Sequence, residues 1–341
     1  MTVKQNIALK FLGIALMLVV CNALYTQFFF EKDLQEHAPA INMIREVVAE
    51  EADVVYLGES SNISFREDDQ DRRTISELSA SLLPKIKMGS LTKEASHAGI
   101  YLDFLKALPA DSNIKTIIVT MNLRSFGAGW IYSDLETALQ KSTVLLRPYP
   151  PLVNRLMLGL KNYDNKTTKE WEKLFLAHWQ TDELSLYSSF PHQNTSEWDL
   201  GMDLQGVKNE DGSRNQALTE LACHYIKSYS FQIDVQTNPR IRDFDAIVEL
   251  AQKRHWKVLF HILPENVQRA QELVGSDLTG IMKANAQLLM KRYNQKNAQT
   301  INNLELVEND QFIDQNWTSE HYAEKGRKAI AAQLKLGLEA F

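Results

Sequence analysis

Residues 53–62 read DVVYLGESSN, and this stretch decides how the fold is interpreted. Its first half, residues 53–57, is apolar and β-branched, which is typical of a short strand buried on both faces. The strand ends at Gly58, and Glu59 and Ser60 follow directly. Ligands bind beyond the carboxyl ends of the strands in an open parallel sheet. We therefore expect Ser60 to lie at the ligand-binding edge of such a sheet.

Other parts of the chain continue the same pattern. Strand-like runs occur at 114–120 (IKTIIVT), 256–262 (WKVLFHI) and 304–307 (LELV). Apolar residues at helical spacing predict helices at 74–86, 98–108, 241–254, 265–273, 276–295 and 321–338. Strands that alternate with helices of this length predict an α/β fold, a three-layer α/β/α sandwich with a parallel sheet.

The N-terminal segment has a different composition. Residues 11–30 carry no charge, and at about 1.5 Å per residue they are long enough to cross the hydrocarbon core of a bilayer. Lys4 and Lys10 precede this run and Glu31 follows it, so the positive-inside tendency predicts a cytoplasmic N-terminus. A cleaved signal peptide and a buried core helix are the alternatives. The prediction is a single-pass membrane protein whose C-terminal part is extracytoplasmic, in the periplasm or at the cell surface.

The same patterns divide the chain into parts. We expect a membrane anchor over 1–30, a connector helix over 31–52 and one α/β domain over 53–341. Within that domain, residues 126–240 are rich in Trp, Tyr, Pro and Asn and show no strand pattern. They are interpreted as a helical insertion or cap.

Composition excludes several classes of function. The net charge is -6, and no basic stripe interrupts the chain, so a nucleic-acid surface is not expected. No Cys/His cluster has the spacing of metal ligands, and neither a metal nor another cofactor is predicted. One of the two cysteines, Cys21, lies in the apolar N-terminal run, which argues against an internal disulfide with Cys223.

Three polar segments at the ends of predicted elements resemble the SGNH (GDSL-like) hydrolase superfamily. Gly58-Glu59-Ser60 is similar to the Gly-Asp-Ser block of that family, with Glu in place of Asp. Asn122 stands where the family has Gly-x-Asn-Asp. His321, followed by Gly326, resembles the closing His block. The short matches are scattered over residues 52–341, and the resemblance implies a flavodoxin-like α/β/α domain.

The resemblance also implies roles for individual residues. Ser60 would be the nucleophile and His321 the base that takes its proton. The side-chain amide of Asn122 and the backbone N–H of Gly99 would stabilise the oxyanion, with Gly89 as a competing choice for the backbone donor. Structural roles are the alternative, because Ser60 could cap a helix and Asn122 could stabilise a turn.

The third member of a triad is open at this point. The family places its acid three residues before the His, and that position is Thr318. Asp314, Glu320 or no acid at all are the remaining options. Asp314 is preferred over Glu320, because adjacent residues rarely face each other.

An anchor joined to such a domain resembles the membrane-anchored branch of the family, which includes alginate O-acetylation proteins and the D-alanine transfer protein of teichoic acid synthesis. This implies a serine-dependent esterase or O-acyltransferase acting on a cell-surface glycan or lipid, with a membrane-bound O-acyltransferase as a possible partner. The alternative is a catalytically inactive, membrane-anchored binding or assembly module, and Thr318 favours it.

Overall fold

A computed structural model describes residues 2–164, 166–184, 186–187, 189–294 and 297–341. Its described residues form one parallel sheet with the strand order β2-β1-β3-β4-β5. The strands are β1 (Val54–Gly58), β2 (Met88–Thr92), β3 (Thr116–Met121), β4 (Lys257–Ile262) and β5 (Ala298–Asn302). The predicted runs at 53–57, 114–120 and 256–262 are therefore confirmed as parallel neighbours, paired β1 with β3 and β3 with β4.

Alternating side chains explain why this sheet is buried on both faces. In β1, Val55 and Leu57 enter one apolar core, whereas Val54 and Tyr56 enter a second core on the opposite face. Successive side chains of a strand point to opposite faces, so an uninterrupted apolar run requires a cover on each side. The mixed α/β class expected from the sequence is confirmed.

Helices supply that cover. The larger core includes residues of α3 (Ala40–Ala49), α6 (Ala98–Ala107), α13 (Pro239–Lys253) and α15 (Ser276–Tyr293). The smaller core includes α5 (Ile75–Leu82) and α16 (Glu324–Glu339). Two shorter helices, α4 (Ser60–Ile63) and α14 (Val267–Leu273), follow β1 and β4. The predicted end of α15, residue 295, lies outside the described residues.

The sequence interpretation was wrong at the two edges of the sheet. Residues 304–307 form turns, not a strand, and the strand on that side is β5 at 298–302. The other edge strand, β2, was missed. Both edge strands are only half-buried along their length, so they lack the apolar runs that mark the central strands.

The N-terminus is a single helix, α1 (Val3–Phe28), of 26 residues. By length and composition it could cross a membrane. The expected connector helix over 31–52 is instead two helices, α2 (Phe30–His37) and α3, separated at Ala38 and Pro39. Proline disfavours a helical conformation at the residue before it and lacks the N–H of a helix interior, which accounts for the break.

The segment between β3 and α13 is mostly helical in its described residues, with isolated antiparallel bridges between Glu183 and Asn194 and between Lys208 and Arg214. It contains two 3₁₀ turns, η1 (Leu123–Phe126) and η2 (Val144–Leu146). Its helices are α7 (Ala128–Ile131), α8 (Leu135–Thr143), α9 (Pro151–Gly159), α10 (Thr168–Thr181), α11 (Thr195–Gln205) and α12 (Gln216–Tyr229). Helix α9 packs against α1, which joins this segment to the N-terminal helix.

Candidate active site

The direction of the connections reverses between the neighbouring strands β1 and β3. The chain leaves β1 toward β2 on one side and leaves β3 toward β4 on the other. At such a reversal the connections diverge and open a ligand-binding space beyond the carboxyl ends of the two strands. Ser60 follows β1 by two residues, and Asn122 follows β3 directly.

Gly58 is required by the tight exit from β1. A Cβ at this position would lie 2.6 Å from Tyr56 Cε1 and 3.1 Å from Asn62 Cβ. The Tyr56 ring is fully buried and cannot move aside easily. The absence of a side chain at Gly58 lets the chain turn at once into α4, so that Ser60 is the first residue of that helix.

The Ser60 side chain does not cap α4. The N-cap position is Glu59, whose side chain makes no capping hydrogen bond. Instead, Ser60 Oγ lies 3.0 Å from His321 Nε2. This distance is within the range of a hydrogen bond between a nucleophile and its base.

His321 is held by a short hairpin-like segment, residues 311–323, that precedes α16. The N–H of Ile313 donates to the His321 carbonyl at 2.9 Å, and the N–H of Ala323 donates to the Gln311 carbonyl at 2.8 Å. Phe312 and Tyr322 form an antiparallel bridge in the same segment. Two residues seven apart in sequence, Asp314 and His321, are thereby brought side by side.

Asp314 contacts the second nitrogen of the imidazole. Its Oδ2 lies 2.7 Å from His321 Nδ1 and also accepts a hydrogen bond from Ser319 Oγ at 2.5 Å. A carboxylate at Nδ1 fixes the ring so that Nε2 faces Ser60 as the acceptor. The order Ser60, His321, Asp314 is thus continuous, and both ends of it are partly open to solvent.

Glu320, the other candidate for the acid, and Thr318, which stands at the family's acid position, are both engaged in contacts away from the imidazole. Thr318 is buried, with its hydroxyl 3.1 Å from Ser228 Oγ on α12. Glu320 points away from the imidazole and forms a bidentate ion pair with Arg124, with Arg124 Nε 2.5 Å from Glu320 Oε1. Neighbouring residues on an extended segment face opposite sides, which explains why His321 and Glu320 separate.

The expected oxyanion donors are engaged in other contacts. One amide hydrogen of Asn122 is donated to Glu59 Oε1 at 2.9 Å, and Asn122 Oδ1 accepts the N–H of Arg124. An amide nitrogen carries two hydrogens, so one donor of Asn122 is not used by Glu59. Asn122 therefore lies close to Ser60, because it is hydrogen-bonded to Glu59, the residue that precedes Ser60.

Gly99, the predicted backbone donor, lies at the start of α6 and is engaged in a local capping contact. Its N–H donates to His97 Nδ1 at 3.1 Å, because His97 is the N-cap of α6. Gly99 lines a cavity of about 670 Å³ beside α6 and α13, whose lining does not include Ser60 or His321. The competing choice, Gly89, lies inside β2 opposite Val55 and not at the carboxyl edge of the sheet.

A buried polar cluster beneath these residues was missed by the sequence analysis. Glu59, Glu265 and Glu320 are all at most 2% exposed, and Arg124 pairs with Glu320. Tyr229 donates to Glu265 Oε2 at 2.5 Å. Glu59, Arg124 and Glu265 come from the segments after β1, β3 and β4. Glu320 comes from the hairpin-like segment and Tyr229 from the end of α12. The cluster therefore connects all the segments that carry the candidate site.

Three buried carboxyls face a single guanidinium in this cluster, and this controls their protonation. Burial, and next the charge of Glu320, raise the pKa of Glu59 from 4.5 to about 8. Burial and the same neighbour raise the pKa of Glu265 well above its usual range. Carboxyls that are deprived of water and placed near like charges retain their protons. Glu59 is thus largely neutral at pH 7, although it directly precedes Ser60.

A second buried pair fixes the start of α16. Arg327 is fully buried and its Nη1 lies 2.8 Å from Asp69 Oδ2. The same nitrogen donates to the carbonyl of Tyr322 at 2.9 Å, and the Tyr322 hydroxyl donates to the carbonyl of Pro264 at 2.8 Å. The residue next to His321 is therefore held to both the loop after α4 and the loop after β4.

Within the described residues, no group of His, Cys, Asp and Glu side chains is arranged to hold a metal ion.

A smaller cavity of about 190 Å³ adjoins the segment between Asp314 and His321 and is lined by Arg124, Trp130, Trp317 and others. Trp317 is exposed and its ring lies 3.9 Å from that of His224. This cavity offers aromatic faces and cationic groups beside the hairpin-like segment.

Comparisons with known proteins leave the family open. No family model matches the chain, and a comparison with curated proteins returns no match. A solved structure with 9% sequence identity aligns over 86% of this chain and 98% of its own, with a TM-score of 0.34. A likeness of that size carries no argument about fold or function, so the geometry of the residues themselves bears the interpretation.

Proposed function

We propose that this chain is a membrane-anchored, serine-dependent esterase or O-acyltransferase that acts on a cell-surface glycan or lipid. The observation that carries the proposal is the chain of contacts from Ser60 Oγ to His321 Nε2 at 3.0 Å and from His321 Nδ1 to Asp314 Oδ2 at 2.7 Å. A hydroxyl, an imidazole and a carboxylate in this order form the arrangement that activates a serine toward an acyl carbon.

The first half-reaction forms an acyl-serine. Ser60 Oγ attacks the carbonyl carbon of an ester while its proton passes to His321 Nε2. The resulting imidazolium is stabilised by Asp314. When the tetrahedral intermediate collapses, the bond to the leaving alkoxide breaks, and His321 returns the proton to that oxygen. The alcohol departs and the acyl group stays on Ser60.

The second half-reaction uses the same groups in reverse. His321 takes a proton from an incoming hydroxyl, and the oxygen of that hydroxyl attacks the acyl carbon. When the tetrahedral intermediate collapses, the bond between the acyl carbon and Ser60 Oγ breaks and His321 returns the proton to Ser60 Oγ. Water as the incoming group gives ester hydrolysis, whereas a sugar or lipid hydroxyl gives acyl transfer. The partial exposure of His321 and Asp314 supports access by a large acceptor.

Donors for the negative oxygen of the intermediate come from two places in this proposal. The second amide hydrogen of Asn122 is one. The main-chain N–H groups at the start of α4 are the other, because the first N–H groups of a helix have no partner within it. Glu59 positions Asn122 through their 2.9 Å hydrogen bond.

The proposal also fixes a location. Helix α1 would span the membrane with Lys4 and Lys10 on the cytoplasmic side, and residues 31–341 would lie outside the cytoplasm. A reporter that works only outside the cytoplasm should be active when it is fused after Phe341, and a reporter that works only in the cytoplasm should be inactive there. A membrane-bound O-acyltransferase is the proposed partner that would supply the acyl group, by resemblance to the alginate and teichoic acid systems.

The proposal is tested with the full chain in membranes and a panel of acetyl esters and acetylated glycans. Ester cleavage or transfer should be lost in Ser60→Ala and in His321→Ala, and retained in Ser61→Ala. Ser61 is the matched control because it is the next residue but is buried. Equal activity in wild type and Ser60→Ala would refute the proposal.

A catalytically inactive binding or assembly module is the second candidate. One observation favours it: the Gly99 N–H and one Asn122 hydrogen, both expected to serve the oxyanion, are engaged within the protein. Such a module would bind glycan with the same affinity in wild type and in Ser60→Ala and would turn over no ester.

A further inference from the structure

We infer that α9 (Pro151–Gly159) is a second membrane contact, an interfacial helix that lies in the bilayer surface beside α1. The inference rests on the membrane anchoring proposed for α1. It adds a lipid-binding surface that belongs to the helical segment and not to the anchor.

The first observation is the apolar surface of α9. Val153, Leu156 and Leu160 are 42, 51 and 78% exposed. Their spacing of three and four residues places them on one side of a helix that continues into its C-terminal turn. The opposite side is anchored in the protein, because Asn154 and Leu158 are buried. Exposed leucines at this spacing form a stripe that water does not favour.

The second observation is a hydrogen bond between α9 and the apolar run of α1. The side-chain Oδ1 of Asn22 accepts the N–H of Leu152 at 3.0 Å. Leu152 lies in the first turn of α9, where N–H groups lack helical partners, and the N-cap Pro150 offers no side-chain acceptor. The Asn22 side chain therefore supplies an acceptor to an N–H group of α9 that has no partner within the helix, and gains a hydrogen-bond donor in return.

This contact fixes the depth at which α9 begins. Asn22 lies inside the uncharged run, six residues before the end of α1 at Phe28, which is about 9 Å along the helix axis. A polar side chain within a membrane helix needs a hydrogen-bonding partner. If α1 spans the bilayer and its end at Phe28 marks the membrane surface, the start of α9 lies about 9 Å below that surface, near the boundary between headgroups and acyl chains. Interfacial helices bury their apolar face about 5–10 Å into that boundary.

Charged contacts hold α9 at this level on the side toward the domain. Arg155 Nε lies 2.7 Å from Asp33 Oδ2, and the same oxygen accepts the hydroxyl of Tyr25 at 2.8 Å. Tyr149 before the helix and Lys161 after it are exposed. Tyr and Lys at the ends of an apolar stripe are residues that membrane interfaces favour. A lipid surface is therefore the occupant that fits this stripe.

The test uses fluorescent probes in the full chain reconstituted into phosphatidylcholine vesicles. Cys21 and Cys223 are first replaced by Ala, since both are free thiols. Single cysteines are then introduced as Leu156→Cys and Leu160→Cys, labelled with an environment-sensitive dye, and exposed to lipids that carry a quencher on the acyl chain. Leu16→Cys in α1 reports the anchor, and Leu204→Cys in α11 is the matched exposed leucine away from it.

We expect blue-shifted emission and strong quenching at positions 16, 156 and 160, and neither at position 204. Quenching at 16 without quenching at 156 and 160 would overturn the inference while leaving the anchor intact. A blue shift at 156 and 160 without lipid quenching would also overturn it, because protein would then cover the stripe. Absence of quenching at 16 would instead refute the proposed anchor, and the inference with it.

Discussion

Asp314 and His321 lie on opposite sides of one short hairpin-like segment, with Asp314 Oδ2 2.7 Å from His321 Nδ1. The segment is closed by the hydrogen bond from Ile313 N–H to the His321 carbonyl. In the proposed triad, Asp314 would take the role of the acid that the resembled family has at the position of Thr318. The carboxylate reaches the ring from seven residues away because the chain reverses between them.

The relationship predicts the effect of Asp314→Asn. Asparagine keeps the size of the side chain but allows the wrong imidazole tautomer, so turnover of an ester should fall by up to about 10⁴-fold. Steady-state kinetics on the full chain measures it. Thr318→Ala is the control and should retain most of the activity, because Thr318 contacts Ser228 and not His321. Loss in Thr318→Ala with retention in Asp314→Asn would reverse the assignment.

The ion pair between Arg124 and Glu320 predicts a large cost in stability. Arg124→Met leaves the buried carboxylate of Glu320 without its partner, and breaking a buried pair in this way costs about 3–5 kcal/mol. Chemical or thermal unfolding in detergent measures the change. Lys87→Ala removes an exposed pair with Glu51 and should cost about 0–1 kcal/mol. Similar effects in the two variants would show that the buried pair has no special role.

The double variant Arg124→Met/Glu320→Gln tests whether Arg124 and Glu320 stabilise the fold as an interacting pair or independently of each other. Since the buried charge is removed together with its partner, the double variant should be less destabilised than the sum of the single variants. An additive result would contradict direct coupling between Arg124 and Glu320.

Glu59 predicts how stability changes with pH. Its pKa is raised in the folded protein from 4.5 to about 8, so the folded state holds this proton more tightly than the unfolded state does. The stability that it contributes is fully present below pH 4.5 and is lost as the pH rises through about 8. The free energy of unfolding should therefore fall less steeply over this range in Glu59→Gln than in wild type. Parallel pH profiles would contradict the proposed protonation.

Gly58 and Gly280 are a crowded and an open glycine position, and the same substitution is expected to have opposite effects at the two. Gly58→Ala places a Cβ 2.6 Å from a buried Tyr56 ring carbon and should cost about 1–3 kcal/mol, with loss of activity because Ser60 shifts. A Cβ added at Gly280 in α15 would meet no neighbouring atom within 4 Å, so Gly280→Ala should stabilise the helix by about 0.5–1 kcal/mol. Unfolding curves of both variants measure this. A stable, active Gly58→Ala would contradict the tight turn.

The central strands were predictable from the sequence because each is an apolar run that fills two cores. The edge strands were not, since β5 reads AQTIN and buries only alternate side chains. Ser60, His321 and Asp314 could be expected to converge because each follows a strand or precedes a helix at the same edge of the sheet. The buried cluster could not, because Glu59, Glu265 and Glu320 resemble surface residues in sequence. Only the packing of four segments shows that they meet.

Gly99 illustrates the other limit. Its position at a helix start made its N–H a reasonable donor, but the side chain two residues earlier, His97, takes that hydrogen bond. Local capping contacts of this kind depend on side-chain conformation and not on spacing. The sequence therefore indicated the region of the site more reliably than the direction of its donors.

Covalent labelling of Ser60 is the most direct test of the central claim. The full chain in native membranes is treated with a fluorophosphonate probe, and the labelled residue is mapped by mass spectrometry. We predict a single adduct at Ser60, slower labelling in His321→Ala and Asp314→Asn, and none in Ser60→Ala. Absence of labelling in the folded wild-type protein, or labelling unchanged by His321→Ala, would contradict an activated serine.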